Sequence, residues 1–331
     1  MAAALLLTHS QDFFTIDRVQ AALQAKGVQC IRLNSDSFPE SVRINQRVDQ
    51  QGWQCEWIGE NQRFHSRDIG VVWLRKLWQP VLQTEVEEPY HSACIRESST
   101  VVRALLRSLS HVPWLDSIPA VQRAEDKYLQ LRCAQQVGLR IPHTLISNDA
   151  QEVQQFYASL HGDMVCKMQT VLSYGMQANE FFFYTTRVDP EALSQMDVLS
   201  ICPMIFQEYI PKAYELRVTY VDGNCFSGKI EATDQTDWRQ SDPRSVKWQA
   251  YELPSPIVQL LQKFMASIGL AFGAIDLIRH TDGSYVFLEV NPCGEWGMLE
   301  KDLDLPISDA IAEGLHQRLY SHSQQPTIQT T

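Results

Sequence analysis

The chain has 331 residues, two to three times the usual length of a domain, so two or three domains are expected. Its 44% hydrophobic and 20% charged residues are a globular composition, which excludes a disordered chain, a collagen-like repeat and a coiled coil. The 28 Lys and Arg against 39 Asp and Glu leave a net charge of −11, the wrong sign for a protein that neutralises a phosphate backbone, so nucleic acid is not expected as a partner.

The opening Ala2 to Leu7 is apolar but lacks a basic leader, and it runs into the polar Thr8-His9-Ser10, so residues 3–8 are predicted to be a buried strand rather than a signal peptide. Asp12 is the expected N-cap of a helix carrying Ile16, Val19, Ala22 and Leu23 at helical spacing and closed by Lys26-Gly27. A strand over 28–33 follows, and this β-α-β order predicts a right-handed parallel crossover. Another strand is expected at 69–74 and a long helix from about 84 to 110, with Trp114-Leu115-Asp116 and Pro119 marking the exit from this domain.

A second unit opens with a helix around Lys127 to Val137, stopped at Gly138. The spacing predicts strands at 164–168 and 180–184 around a small-residue turn over 172–176, and then a second helical stretch. The last third predicts strands at 204–209, 214–221 and 224–231, the latter two joined by an Asp222-Gly223 hairpin turn. A helix over 256–268 leads to strands 271–279 and 284–290, with a closing helix at about 307–320. No run reaches the roughly 18 apolar residues of a membrane span, so no membrane partner is expected. Eight cysteines at least 23 residues apart form no metal or redox motif and are expected as reduced core thiols of a cytoplasmic protein.

The sharpest chemical signal is Asp276 on one strand with Glu289 and Asn291 on the next. Side chains alternate along a strand, so Glu289 and Asn291 share a face, and a hairpin turning near Asp282-Gly283 brings Asp276 opposite them. Hard oxygen ligands without His or Cys suit Mg²⁺ shared with nucleotide phosphates. The competing reading is a pair of strand carboxylates neutralised by Lys or Arg. Lys167, in an apolar strand, wants an anion such as phosphate. Lys127, after Glu125-Asp126, reads equally well as a surface lysine. The strand end Phe206-Gln207-Glu208-Tyr209-Ile210-Pro211 offers backbone groups to a purine edge, and Glu215 and Arg217 share a strand face.

These residues, with Leu6 to Ser10, Trp73-Leu74-Arg75-Lys76-Leu77-Trp78, Leu172-Ser173-Tyr174-Gly175-Met176, Cys202 to Glu208, Phe272 to Asp276 and Asn291 to Glu300, resemble the microviridin-type peptide macrocyclases, or graspetide ligases, of the ATP-grasp superfamily. The resemblance implies a combined α/β and α+β ATP-grasp fold: a Rossmann-like N-terminal domain over 1–120, a small central lobe over 121–203 and a C-terminal antiparallel-sheet lobe over 204–331 holding the metal site. It implies ATP and two Mg²⁺ ions. Lys127 and Lys167 would hold phosphates, with Ser173, Tyr174 and Gly175 closing over them. Glu208, Tyr209 and Ile210 would meet adenine, and Glu215 the ribose. Asp276, Glu289 and Asn291 would bind the metal, and Arg217 would face the phosphoryl group and the substrate carboxylate.

The implied substrate is a ribosomally made precursor peptide with leader and core, met by Arg217, Asp237, Trp238 and Arg239 and by a basic lining that includes Arg75 and Lys76, with Lys229 and Arg244 as further members. The family is commonly homodimeric. The stretches 5–19 and 294–308 look more like the branch forming ω-amide rings between Lys and Glu than the branch forming ω-esters from Thr or Ser. An ATP-grasp ligase adding free amino acids to a protein tail, and a nucleotide-binding scaffold without turnover, are the remaining alternatives.

Overall fold

The computed structural model describes residues 2–50, 52–59, 63–82, 84, 86–169, 173–176, 179–182, 184–194, 196–231, 236 and 247–323. The apolar opening is strand β1 (Ala3–Thr8), buried along its whole length. Helix α1 (Phe14–Ala25) returns the chain to β2 (Cys30–Asn34). Asp12 does not cap that helix. The helix starts at Phe14, so Thr15 lies on its first turn and, with Thr8, donates its hydroxyl to the Asp12 carboxylate, each at 2.7 Å.

An antiparallel sheet of three strands follows that hydrophobic patterning does not reveal: β3 (Arg43–Asp49), β4 (Gly52–Ile58) and β5 (Arg63–His65). Strand β6 (Ile69–Leu74), helix α2 (Glu88–Ser108) and the short β7 (Trp114–Leu115) complete this part of the chain. The parallel sheet has the order β2-β1-β6-β7. Its order reverses beside β1, so the loops leaving β1 and β6 flank a crevice at the carboxyl ends of the strands.

Two capped helices come next. Ser117 accepts from the Ala120 amide at the start of α3 (Ile118–Ala124), and Asp126 accepts from the Leu129 amide at the start of α4 (Lys127–Gln136). Strand β8 (Thr144–Ser147), helix α5 (Ala150–Ser159) and β9 (Met164–Lys167) follow. The expected turn at Ser173-Tyr174-Gly175 is instead a strand, β10 (Ser173–Met176), paired with β11 (Asn179–Phe182) so that Met176 opposes Asn179. The hairpin reverses after Met176, which leaves Tyr174 and its neighbours in extended backbone. Leu172 lies outside the described residues. After β12 (Thr186–Arg187) and α6 (Pro190–Ser194), β13 (Met204–Glu208) closes an antiparallel sheet ordered β12-β9-β13-β8.

The last third is an antiparallel sheet ordered β16-β15-β14-β17-β18, made by β14 (Lys212–Val221), β15 (Asn224–Glu231), β16 (Gln249–Ala250), β17 (Phe272–His280) and β18 (Tyr285–Asn291). Asp222 and Gly223, with φ of 45° and 96°, make the two-residue turn between β14 and β15, where positive φ is least costly for glycine and tolerated by Asp. Helix α7 (Ser255–Ile268) and α4 cover one sheet face, burying Leu216, Val218, Ile275, Leu277, Phe287 and Val290. Phe264 meets Phe287 with ring centroids 4.7 Å apart, and truncating either to alanine would cost about 3–5 kcal/mol.

Helices α8 (Gly297–Leu303) and α9 (Ile307–Ser323) end the described chain. Helix α9 packs beside α1 against the N-terminal parallel sheet and also reaches the end of β14, in a core shared by Leu6, Trp73, Val221, Phe272, Trp296 and Ile311. All eight cysteines are free, but Cys202 is exposed rather than in the core, because it sits in the irregular link before β13. No described helix is long and apolar enough to cross a membrane.

Candidate active site

The free face of the C-terminal sheet carries a row of charged residues across three adjacent strands. Arg217 on β14 is paired with Asp276 on β17, and Asp276 with Glu289 on β18. Directly opposed residues share a face with Cβ atoms about 4.5–5.5 Å apart, so the β17–β18 hairpin with its one-residue register shift brings the two carboxylates together. A bulge leaves Leu288 as an extra residue, which lets Phe287 and Val290 both reach the core while Glu289 and Asn291 face the site. The Asn291 amide nitrogen is 3.1 Å from Glu289 Oε1 and 3.4 Å from Asp276 Oδ2.

Three cations meet these groups. Arg217 Nη1 donates to both oxygens of Asp276 at 2.7 and 2.8 Å. Lys127 Nζ from α4 is 3.1 Å from Glu289 Oε2, and Lys167 Nζ from the end of β9 is 3.6 Å from the same oxygen. The two lysine side chains are each 15% exposed, so Lys127 is not the surface residue its sequence context equally allowed.

Burial alone would push the Glu289 carboxyl up, but Lys127 and Lys167 beside it hold it below the usual carboxylate range. Lys167 stays below the ordinary lysine value, because burial and the nearby Lys127 outweigh its attraction to Glu289. Three cations, Arg217, Lys127 and Lys167, thus face two carboxylates, Asp276 and Glu289. A cleft with that imbalance favours a further anion, such as a phosphate.

Gln130 is the residue that sequence reasoning missed. It is fully buried, and its amide donates to the Val290 carbonyl at 2.8 Å and accepts from the Val290 N–H at 2.9 Å. It thus acts as a strand partner on the outer edge of β18, between Glu289 and Asn291. It stands three residues after Lys127 on α4, so the same helix face that docks on β18 carries the lysine to Glu289.

The strand end at 208–210 lies next to this cleft through β13, whose Ile205 is paired with Lys167. Glu208 N–H donates to the His143 carbonyl and Tyr209 N–H to the Asp163 carbonyl, both at 2.9 Å, and neither contact uses the buried Ile210 amide. The Tyr209 ring is covered by the Arg187 guanidinium at 4.0 Å from its centroid. Glu215 is ion-paired with Lys212, whose Nζ also donates to the Thr236 carbonyl at 3.1 Å. Lys212 is a second residue not singled out from sequence.

Arg75 is not part of an exposed basic lining. It is 2% exposed, and its guanidinium donates to Thr15 Oγ1 at 3.1 Å, to the Cys293 carbonyl at 2.9 Å and to the Glu295 carboxylate, with Asp12 Oδ2 3.6 Å away. Its three nitrogens are each engaged inside the protein rather than turned to solvent. Lys76 remains part-exposed and also reaches Glu295. Lys229 pairs with Glu231 and lies over the Tyr214 ring. Asp237, Trp238, Arg239 and Arg244 lie outside the described residues, and of Ser173, Tyr174 and Gly175 the backbone strand is described.

The donor chemistry fits Mg²⁺. Among the described residues no group of three or more His, Cys, Asp or Glu is placed to hold a metal, so the candidate set is two carboxylates and the Asn291 amide, all hard oxygen donors once that amide turns its oxygen inward. Magnesium usually keeps several waters and takes only one or two carboxylates beside substrate phosphates, which this sparse set matches.

The profile of the MvdD pre-ATP grasp domain matches residues 3–122, and that of the RimK-like ATP-grasp domain matches residues 124–315. Comparison with curated protein sequences gave no match. Among solved structures, macrocyclase MdnB from Microcystis aeruginosa MRC shares 43% identity over 95% of this chain and 99% of its own, with a TM-score of 0.83. Macrocyclase MdnC from the same organism, bound with precursor peptide MdnA, shares 34% identity over 95% of this chain and 99% of its own, with a TM-score of 0.87. A RiPP-associated ATP-grasp ligase from Chryseobacterium gregarium, in complex with ADP and a leader and core peptide, shares 27% identity over 96% of this chain and 97% of its own, with a TM-score of 0.88. With its RimK-like domain and its whole-length likeness to both Microcystis enzymes, the chain belongs to the ATP-grasp ligases, in the family of the microviridin macrocyclases.

Proposed function

We propose that this ligase uses ATP and Mg²⁺ to close side-chain rings in a ribosomally made, leader-bearing precursor peptide of the microviridin type, and that the rings are ω-amides between Lys and Glu. The observation that carries the reading is the convergence of Arg217, Lys127 and Lys167 on Asp276, Glu289 and Asn291 in a chain of this family.

A carboxylate is a poor electrophile at neutral pH and has to be activated. In the proposed reaction a peptide Glu oxygen bonds to the γ-phosphorus of ATP while ADP leaves, and the Lys amine then bonds to the acyl carbon while phosphate leaves. The peptide loses one water overall, its oxygen departing in the phosphate and its protons to solvent. Lys127 and Lys167 hold the phosphates, released from Glu289 as a stronger anion arrives. Asp276, Glu289 and Asn291 would hold two Mg²⁺ ions, which would supply charge neutralisation at the transferring group. Arg217 orients the phosphoryl group and the substrate carboxylate. Glu208, Tyr209 and Ile210 line the adenine, Glu215 takes the ribose hydroxyls, and the β10 hairpin closes over the nucleotide.

Lys76, with Asp237, Trp238 and Arg239, is assigned to peptide binding, and a homodimer is the assembly the family likeness favours. Holding both peptide groups in one site makes ring closure effectively intramolecular, where effective molarities reach about 10⁵ M or more. The amide reading is supported by the stretches 5–19 and 294–308, which resemble the amide-forming branch and meet in the fold. Gly297 comes so close to α1 that a Cβ there would lie 3.0 Å from Phe14 and Thr15 side-chain atoms, and Arg18 is ion-paired with Glu300.

The test is intact mass spectrometry of a microviridin-like precursor incubated with the protein, ATP and Mg²⁺, with its Lys present or replaced by Arg. Water loss that needs the Lys is the expected result. Water loss that survives the replacement assigns ester rings, and no loss in the presence of bound ATP overturns the macrocyclase reading.

A further inference from the structure

We propose that Arg75, acting through Glu295, is a positioning residue that lets the N-terminal sheet set the orientation of Arg217 at the reaction centre, an inference that rests on the role given to Arg217 above. Arg75 directly follows β6, and its own amide donates to the Leu7 carbonyl of β1 at 3.0 Å, so its backbone is fixed by the parallel sheet. Its guanidinium grips the loop after β18 at two points, the Cys293 carbonyl and the Glu295 carboxylate, while Lys76 takes the other Glu295 oxygen. Glu295 in turn offers its carbonyl to Arg217, which donates Nε at 3.3 Å and Nη2 at 3.2 Å. The third nitrogen of Arg217 is the one bound to Asp276.

This division of the Arg217 fork gives the contact its consequence. Were Asp276 to hold a metal ion, Nη1 would be left for an incoming anion, while the Glu295 carbonyl would keep the guanidinium plane in place. The loop that presents this carbonyl runs from Asn291 to α8, and its outer hold is Arg75. Burying a guanidinium is costly unless its donors are satisfied in fixed geometry, and Arg75 meets that condition with a hydroxyl, a carbonyl and a carboxylate. A strap needed only to join two sheets would not have to end on the residue that orients Arg217.

Replacing Arg75 risks the fold, so the test uses the half-exposed end of the strap, Glu295→Ala. Peptide dehydration is expected to slow about 10- to 100-fold, as misplacement of a reacting group does, with ATP affinity and the unfolding midpoint unchanged. In an Arg217→Lys background, where no planar fork remains to be oriented, the same substitution is expected to have little further effect. An unchanged rate, equal fold-losses in both backgrounds, or parallel losses of rate, ATP affinity and stability would each overturn the proposal. If the unmodified protein fails to dehydrate the peptide, the functional reading fails by itself. The strap is then decided by solvent exchange of the Arg217 Nε–H, read by NMR without peptide: faster exchange in Glu295→Ala supports it, and unchanged exchange overturns it.

Discussion

The carboxylates on the free face of the C-terminal sheet face cations, whereas Asp116, Asp12 and Glu300, between the two sheets, are also held by backbone amides or hydroxyls. Asp276 and Glu289 face one arginine and two lysines. Asp116, where the N-terminal sheet meets β17, accepts instead from the backbone amides of Ala271 and Phe272 at 2.9–3.1 Å. Asp12 accepts from two threonine hydroxyls, with Arg75 3.6 Å away, and Glu300 from the Ser308 amide and hydroxyl at 2.6 and 2.7 Å as well as from Arg18. Backbone amides and short hydroxyls stay in place, whereas ammonium groups on four-carbon stems, as at Glu289, can swing away. Under the proposed function the contrast separates carboxylates that hold the fold from carboxylates that would exchange partners.

Neutralising one of the exchanging carboxylates gives the largest expected effect. Asp276→Asn should lower the rate of peptide dehydration by about 10²- to 10³-fold, with an unchanged circular dichroism spectrum, and activity within a few-fold of the unmodified protein would remove Asp276 from the metal site.

An intermediate effect is expected at Gln130, which ties the exchanging site to the fold. Gln130→Leu leaves the buried Val290 N–H and carbonyl without their partner, and each costs about 1–3 kcal/mol. Denaturant unfolding should therefore show a loss of about 2–6 kcal/mol, and ATP should bind more weakly because Lys127 shifts with α4. A stability change confined to a few tenths of a kcal/mol would mean that the edge of β18 finds another partner.

A fold-holding carboxylate should reveal itself through pH. Burial pushes the Asp116 carboxyl from about 3.8 up to about 6, against the pull of the two amides. Between these values the native carboxyl keeps its proton while the unfolded one is ionised. The native state then binds more protons, so this contribution to stability falls as pH rises from about 4 to about 6 and is constant above. At about 1.4 kcal/mol per pH unit the change is at most about 3 kcal/mol. Measured against Asp116→Asn, the stability advantage of the unmodified chain should shrink across that window, and a pH-independent difference would contradict the assignment.

Much of this arrangement is written in local sequence. The run Ile69 to Leu74 is a strand with the expected bounds, and the Asp282-Gly283 reversal folds Asp276 back toward Glu289, with the Leu288 bulge supplying the last residue of register. What escapes notice depends on distant partners or lacks periodicity. Strand β3, Arg-Ile-Asn-Gln-Arg-Val-Asp, is exposed at nearly every position and carries no alternating signal. Gln130 looks like any surface glutamine until Val290 is placed beside it. Arg75 looks like a surface base beside Lys76 until Glu295 and Cys293, more than two hundred residues on, close over it. A buried polar side chain is defined by what satisfies it, and here the satisfying groups come from the other end of the chain.

The most direct test of the account is to follow oxygen. A precursor peptide whose ring-forming Glu carries ¹⁸O in its side-chain carboxylate is incubated with the protein, ATP and Mg²⁺, and the released phosphate is analysed by mass spectrometry. Activation as an acyl phosphate predicts one ¹⁸O in the phosphate for every ring closed; rings that close with unlabelled phosphate would contradict it.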